Sequence, residues 1–164
     1  MLCAIACVSE NYGIGLSGKL LFSIPEDMKF FREKTARSAV IMGRKTAESL
    51  PGKRPLPGRC NIILSRQKDY ALEGFTAVNS VEAALSAAKS AEMPNEDIFI
   101  IGGAEIYTLF LPVTEKIYLT EVCKTIESDT FFPEIKKDFT LTDRKVCENS
   151  NGLSISFNTY LRRG

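Results

Sequence analysis

The chain carries a series of short apolar runs, each closed by glycine, proline or a polar cluster, at residues 2–8, 39–42, 61–64, 97–101 and 116–122. They are too short for core helices standing alone, and several are β-branched, which predicts buried strands. Helical patterns lie between them. Residues 25–34 have proline in the first turn, 81–91 are rich in alanine, and 104–111 stop just before Pro112. Strand–helix alternation predicts an α/β fold with a mostly parallel sheet covered on both faces. The tail departs from this, because 139–148 and 153–161 are extended segments separated by Asn149-Ser150-Asn151-Gly152, a hairpin signal. The last segment sets Leu153, Ile155, Phe157 and Thr159 against Ser154, Ser156, Asn158 and Tyr160, the alternation of a strand near a sheet edge. The sheet is therefore expected to be mixed. Residues 9–23 hold Gly13, Gly15 and Gly18 with few helix or strand signals, which predicts a long loop of the kind that serves as a lid.

With 164 residues, no internal repeat and no dividing linker, the expectation is one domain over 1–164. Composition changes little, since 45% hydrophobic and 25% charged residues describe an ordinary globular chain. Charge excludes more. Twenty-one basic residues against 20 acidic ones provide no field for a phosphate backbone, so no nucleic-acid partner is expected. The five cysteines are odd in number, contain no C-x-x-C pair and occur with no histidine, which argues against a disulfide framework and a metal site and for a reducing, cytoplasmic compartment. The apolar opening ends at Glu10, too short for a membrane span, and reads as a first buried strand.

Four stretches carry candidate chemistry. In Ser23-Ile24-Pro25-Glu26-Asp27, Ser23 and Glu26 have capping-box spacing around an N-terminal proline. Asp27 is then surplus to capping, with Phe30 and Phe31 on its face of the helix. It either complements the positive helix terminus from water or is a desolvated acid that binds a polar heterocycle through paired N–H donors. Strand 39–42 runs into Gly43-Arg44-Lys45-Thr46, a helix start with two cations and a hydroxyl that suits phosphate. Strand 97–101 runs into Gly102-Gly103-Ala104-Glu105-Ile106-Tyr107. That stretch lacks the third glycine of G-x-G-x-x-G, but its glycines let backbone approach a ligand. Finally, Leu64-Ser65-Arg66 ends a strand with a hydroxyl and a cation able to hold a phosphate monoester, and Arg59 follows the Pro57-Gly58 turn.

Taken in order, "AIACVSENYGIG", "IPEDMKFFREKT", "VIMGRKTAESL", "RPLPGRCNIILS", "IIGGAEIYTLFLP", "KIYLTEV" and "SDTFFP" resemble the single-domain dihydrofolate reductases of bacterial type over nearly the whole chain. The resemblance implies an eight-stranded, mostly parallel mixed sheet with a C-terminal antiparallel hairpin and about four helices. It implies NADPH as hydride donor, reduction of 7,8-dihydrofolate to tetrahydrofolate, dihydrofolate and antifolates as ligands, and a monomer. The catalytic group would be Asp27 with Thr120 and Phe22, the acid binding the pterin and favouring protonation at N5. Carbonyls of Ile5 and Ile101 would meet the heterocycle, Met28, Phe31, Leu50 and Leu56 would wall the benzoyl portion, and Arg59 would clamp the glutamate α-carboxylate, with Arg54 a second candidate.

On the cofactor side, the resemblance places Gly102, Gly103, Ala104, Glu105 and Ile106 on the pyrophosphate and Tyr107 near the nicotinamide riboside. Gly43, Arg44, Lys45 and Thr46 would receive phosphates, and Leu64, Ser65 and Arg66 would sit at the adenosine 2′-phosphate. Preference for NADPH would come from cations that NADH leaves unpaired. Cys7 and Ile14 would touch the nicotinamide amide, and the loop to Leu20 would close over it. A cis peptide is expected at Gly102-Gly103. The chain departs from the family pattern at Leu21-Phe22, where Pro-Trp is familiar, and at Ala104 in the glycine run. A pterin or pyrimidine reductase of the same fold, such as the reductase domain of riboflavin synthesis, and a catalytically silent nucleotide-binding module are the alternatives.

Overall fold

All five apolar runs form strands. The structure is a computed structural model and describes residues 1–148 and 152–164. In chain order the elements are β1 (Leu2–Val8), β2 (Gly13–Leu16), β3 (Lys19–Leu20), α1 (Pro25–Thr35), β4 (Ala39–Gly43), α2 (Arg44–Ser49), β5 (Cys60–Leu64), β6 (Thr76–Val78), α3 (Val81–Ser90), β7 (Ile98–Gly102), α4 (Ala104–Phe110), β8 (Lys116–Val122), β9 (Thr130–Phe131), β10 (Phe139–Glu148) and β11 (Ser154–Arg162). The main sheet has eight strands in the order β10-β11-β8-β1-β7-β4-β5-β6. Pairing is parallel from β8 across to β6, while β11 is antiparallel to both β8 and β10.

The buried runs divide between the two faces with the two-residue period of a strand. Ala4, Ile41, Ile62 and Ile100 pack on one face with Ala84 and Ala88 of α3 and Ile106 and Phe110 of α4. Cys3, Ile5, Val40, Met42, Ile63 and Phe99 pack on the other with Phe30 and Phe31 of α1 and Ala47 of α2. Apolar side chains on both sides explain why these strands read as unbroken hydrophobic runs. Because β4 and β7 are neighbours, their carboxyl ends open side by side into α2 and α4, where open α/β sheets bind ligands.

Four local expectations change. The capping box does not form: Ile24 is the N-cap of α1 and makes no side-chain cap, while Ser23 Oγ donates to Met28 Sδ at 3.7 Å. Pro25 occupies N1, so the S-x-x-E spacing falls one residue too early. The expected lid loop contains β2 and β3, joined by Ser17 (φ 52) and Gly18 (φ 77) and paired through β2 with β9. Two successive positive φ angles match the twist of a two-residue hairpin. The three-residue strand β6 carries no alternation that would have revealed it. In β11 the polar positions are also buried: Tyr160 OH donates to Glu121 Oε2 at 3.1 Å, and Asn158 Nδ2 donates to the same oxygen and to Ser156 Oγ. Of the predicted turn 149–152, the first three residues lie outside the described residues.

Candidate functional site

Asp27 sits at the third position of α1, on the turn that lies over β1 and β8. Cys7 of β1 and Thr120 of β8 are register partners, so their side chains stand together beneath it. Burial pushes the Asp27 carboxyl above the ordinary carboxylate value, while the Thr120 hydroxyl and the Cys7 thiol beside it pull the value partly back. Thr120 Oγ1 is buried and, among the described residues, has no hydrogen-bond partner besides this carboxyl. Among the described residues no cation pairs with Asp27. Tyr107 OH donates to the Ile5 carbonyl at 2.7 Å nearby, its own ionisation pushed far up by burial and further by Asp27. The result is a half-buried carboxyl among neutral groups, met by one hydroxyl and one weak thiol donor, with acceptor capacity left for N–H donors.

A second anchor lies along the same cleft. Arg59 Nη1 donates to Thr35 Oγ1 and Nε to the Pro57 carbonyl, both at 3.0 Å. Buried Asn61 holds that turn by accepting from Leu56 N–H at 2.9 Å and donating to the Leu56 and Arg59 carbonyls at 3.0 Å. Burial and the neighbouring Arg32 lower the Arg59 pKa, and among the described residues no carboxylate pairs with it. An arginine oriented by neutral acceptors is ready for an anion from outside. Phe31, Leu50 and Leu56 are half-buried and pack on the same core cluster as Ile5 and Ala47, whereas Met28 is 48% exposed.

The two strand–helix junctions form one cradle. A Cβ added at Gly43 would lie 3.0 Å from Ile106 Cγ1, and one at Gly103 would lie 3.7 Å from Thr46 Oγ1. Gly102 has φ 126, a left-handed value closed to other side chains, and its bond to Gly103 is cis, as the resemblance led us to expect. Arg44 Nη1 donates to Glu48 Oε1 at 3.0 Å, and Tyr70 OH donates to Glu48 Oε2 at 2.7 Å. At the end of β5, buried Ser65 accepts from Gln67 N–H at 3.1 Å, which leaves its own hydroxyl proton free to donate. Arg66 is paired with Glu105. Backbone able to approach a ligand, flanked by Arg44, Lys45 and Arg66, fits the phosphates of a dinucleotide.

The segment expected to form a lid is tied to β9 and its neighbour Asp129. Asp129 Oδ2 accepts from Ser17 N–H at 2.9 Å and Asp129 N–H donates to the Gly15 carbonyl at 3.0 Å, so the β2–β3 hairpin is held from its outer side. Ile14 is buried, Leu20 at the far end is 83% exposed, and Phe22 is half-buried against Ile24, Cys7 and Phe157.

A family model described as "Dihydrofolate reductase" matches residues 1–162. The chain belongs to the dihydrofolate reductase family. Its activity is NADPH-dependent reduction of 7,8-dihydrofolate to tetrahydrofolate. It is 44% identical to the dihydrofolate reductase of Neisseria meningitidis serogroup A over 162 residues, 96% of each chain, and 44% identical to that of Neisseria gonorrhoeae over 161 residues. A solved dihydrofolate reductase from Enterococcus faecalis, complexed with NADP(H) and RAB-propyl, superposes with a TM-score of 0.90 at 35% identity, covering 100% of this chain and 97% of that one. The family match decides against a riboflavin-type reductase.

In this dihydrofolate reductase, Asp27, Thr120, Cys7, Ile5 and Tyr107 form one cluster, and Gly43, Thr46, Gly103 and Ile106 form another. Sequence reasoning missed the residues that hold these groups. Thr35 and Asn61 orient Arg59, Tyr70 and Glu48 hold Arg44, and Asp129 anchors the hairpin. Only the Arg44–Glu48 pair had a local signal, its i,i+4 spacing in α2; Thr35, Asn61, Tyr70 and Asp129 act through contacts made by the fold or by an irregular turn.

Proposed function

We propose that Asp27 and Thr120 bind and activate the pterin of dihydrofolate in this reductase, and that Arg59 binds the glutamate tail. The observation that carries this is the Asp27 carboxyl, its pKa raised by burial, facing a buried hydroxyl that has no other partner among the described residues. Such a carboxylate accepts the paired N3 and 2-amino donors of a pterin in a bidentate, charge-assisted contact. Its charge favours protonation of N5, which makes C6 electrophilic, and the proton reaches N5 from water. Thr120 orients the carboxyl or a water beside it. Carbonyls of Ile5 and Ile101 meet the heterocycle, Met28, Phe31, Leu50 and Leu56 wall the benzoyl portion, and Arg59 meets the α-carboxylate.

NADPH, when bound, supplies the hydride to C6. Gly102 to Tyr107, with Gly43, Arg44, Lys45 and Thr46, hold its pyrophosphate and riboside, and Leu64, Ser65 and Arg66 hold the 2′-phosphate. Cys7 and Ile14 backbone meets the nicotinamide amide, and the hairpin ending at Leu20 excludes water from the hydride path. Phe22 supplies an aromatic wall without an indole N–H, so water beside Asp27 is held by Thr120 instead. The reading extends to one domain over 1–164 working as a cytoplasmic monomer with antifolates as inhibitors and no nucleic-acid or membrane partner. Family matching over 1–162, a net charge of +1 and five free cysteines support it.

The test is the decay of NADPH absorbance with and without dihydrofolate, in the natural chain and in Asp27→Asn. Dihydrofolate-dependent decay that collapses in the variant at neutral pH supports the assignment. An unchanged neutral-pH rate in the variant would remove Asp27 from the mechanism, and NADPH binding without turnover in the natural chain would indicate a silent module.

A further inference from the structure

Arg66 and Glu105 come from elements 39 residues apart, Arg66 just beyond β5 and Glu105 in the first turn of α4, yet Arg66 Nη2 donates to Glu105 Oε1. Both side chains are largely in water, 90% and 67% exposed. A carboxylate on the rim of a phosphate cradle is electrostatically unexpected, because it repels the ligand that its neighbours attract. Its contact explains the placement: Glu105 already holds the cation assigned to the 2′-phosphate. Arg59 provides the contrast, since its acceptors are a neutral hydroxyl and a neutral carbonyl.

We infer that Glu105 is an internal counter-ion that occupies Arg66 until the 2′-phosphate displaces it, and that it thereby lowers the enzyme's preference for NADPH over NADH. The inference deepens, and rests on, the assignment of Arg66 to the 2′-phosphate. NADPH binding exchanges one anion for another: the phosphate takes the guanidinium and the carboxylate turns to water beside a new negative charge. NADH carries a neutral hydroxyl there, which cannot displace a carboxylate, so the Arg66–Glu105 pair survives its binding. Discrimination by a cation that NADH leaves unpaired therefore does not apply at Arg66, because the chain supplies its own partner. Exposed pairs are weak, so the effect is a modest factor rather than orders of magnitude.

The experiment is direct titration of NADPH and NADH binding, by calorimetry, for the natural chain, Glu105→Gln and Arg66→Gln. Glu105→Gln should raise the ratio of the NADH to the NADPH Kd by roughly two- to fivefold. The gain should come from tighter NADPH with NADH unchanged, and it should shrink in 1 M salt as screening shortens to about 3 Å. A ratio that stays constant or falls, or a gain shared equally by both cofactors, overturns the inference. Arg66→Gln separates the two levels. If it lowers the ratio while Glu105→Gln leaves it alone, the phosphate assignment stands and only the exchange is lost; if it leaves the ratio untouched, both fail.

Discussion

The substrate end and the cofactor end of the cleft solve the same problem, holding a charged ligand, in opposite ways. At the substrate end Asp27 and Arg59 are half-buried, oriented by neutral groups and without ion-pair partners among the described residues. At the cofactor end Arg44 is half-buried and Arg66 exposed, and each is engaged with a carboxylate of this chain. A desolvated charge without a partner interacts strongly and titrates abnormally, whereas an exposed, paired charge interacts weakly and responds to salt. The substrate end should therefore govern rate and pH dependence, and the cofactor end should govern preference and ionic-strength dependence.

The largest effect expected is that of Asp27→Asn, a fall of about 10²–10⁴ in kcat/KM at neutral pH, the range for a positioned acid–base group. The loss should narrow at low pH, where protonated substrate no longer needs the carboxylate; steady-state rates across pH 5–9 check this. Arg59→Ala should cost about 1.5–3 kcal/mol of folate binding through a lost charged hydrogen bond, with NADPH affinity unchanged, as measured by separate titrations of the two ligands. An equal loss for both would mean that Arg59 supports the fold rather than the ligand, and the contrast between the two ends would weaken.

Stability sharpens the comparison. The folded-state pKa of Asp27 is raised, so the folded chain binds the proton more readily than the unfolded one and stability falls as pH rises through that range. The ionised carboxylate is then a cost at neutral pH. Asp27→Asn should raise Tm at pH 7, and the gain should fade below the ordinary carboxylate range, as thermal unfolding at several pH values would show. Asp129 has the opposite sign. Its pKa is lowered by the Ser17 N–H and the Thr130 hydroxyl, so its hold on the β2–β3 hairpin is present above the ordinary carboxylate range and is lost as pH falls through the lowered value. Asp129→Ala should have the smallest effect, faster amide exchange in residues 15–20 at neutral pH with little change in Tm; unchanged exchange would show that the contact does not restrain the hairpin.

The pattern of the chain was enough to place β1, β4, β5, β7 and β8, because strands buried on both faces carry uninterrupted apolar runs. It also located α1, α3 and α4, and the glycine junctions that flank the cradle. It placed the start of α1 at Pro25 but misread its cap, where proline at N1 outweighed the Ser23–Glu26 spacing, and it missed β2 and β3, of which β2 pairs with β9 more than a hundred residues away. Residue types were legible where chemistry is unusual for its surroundings, as with an acid among phenylalanines. Partners were not. Thr120 was expected beside Asp27 only through the resemblance; that Cys7 stands there with it, that Thr35 orients Arg59 and that Glu105 holds Arg66 follow from register and packing between distant segments, which only the folded chain brings within hydrogen-bonding distance.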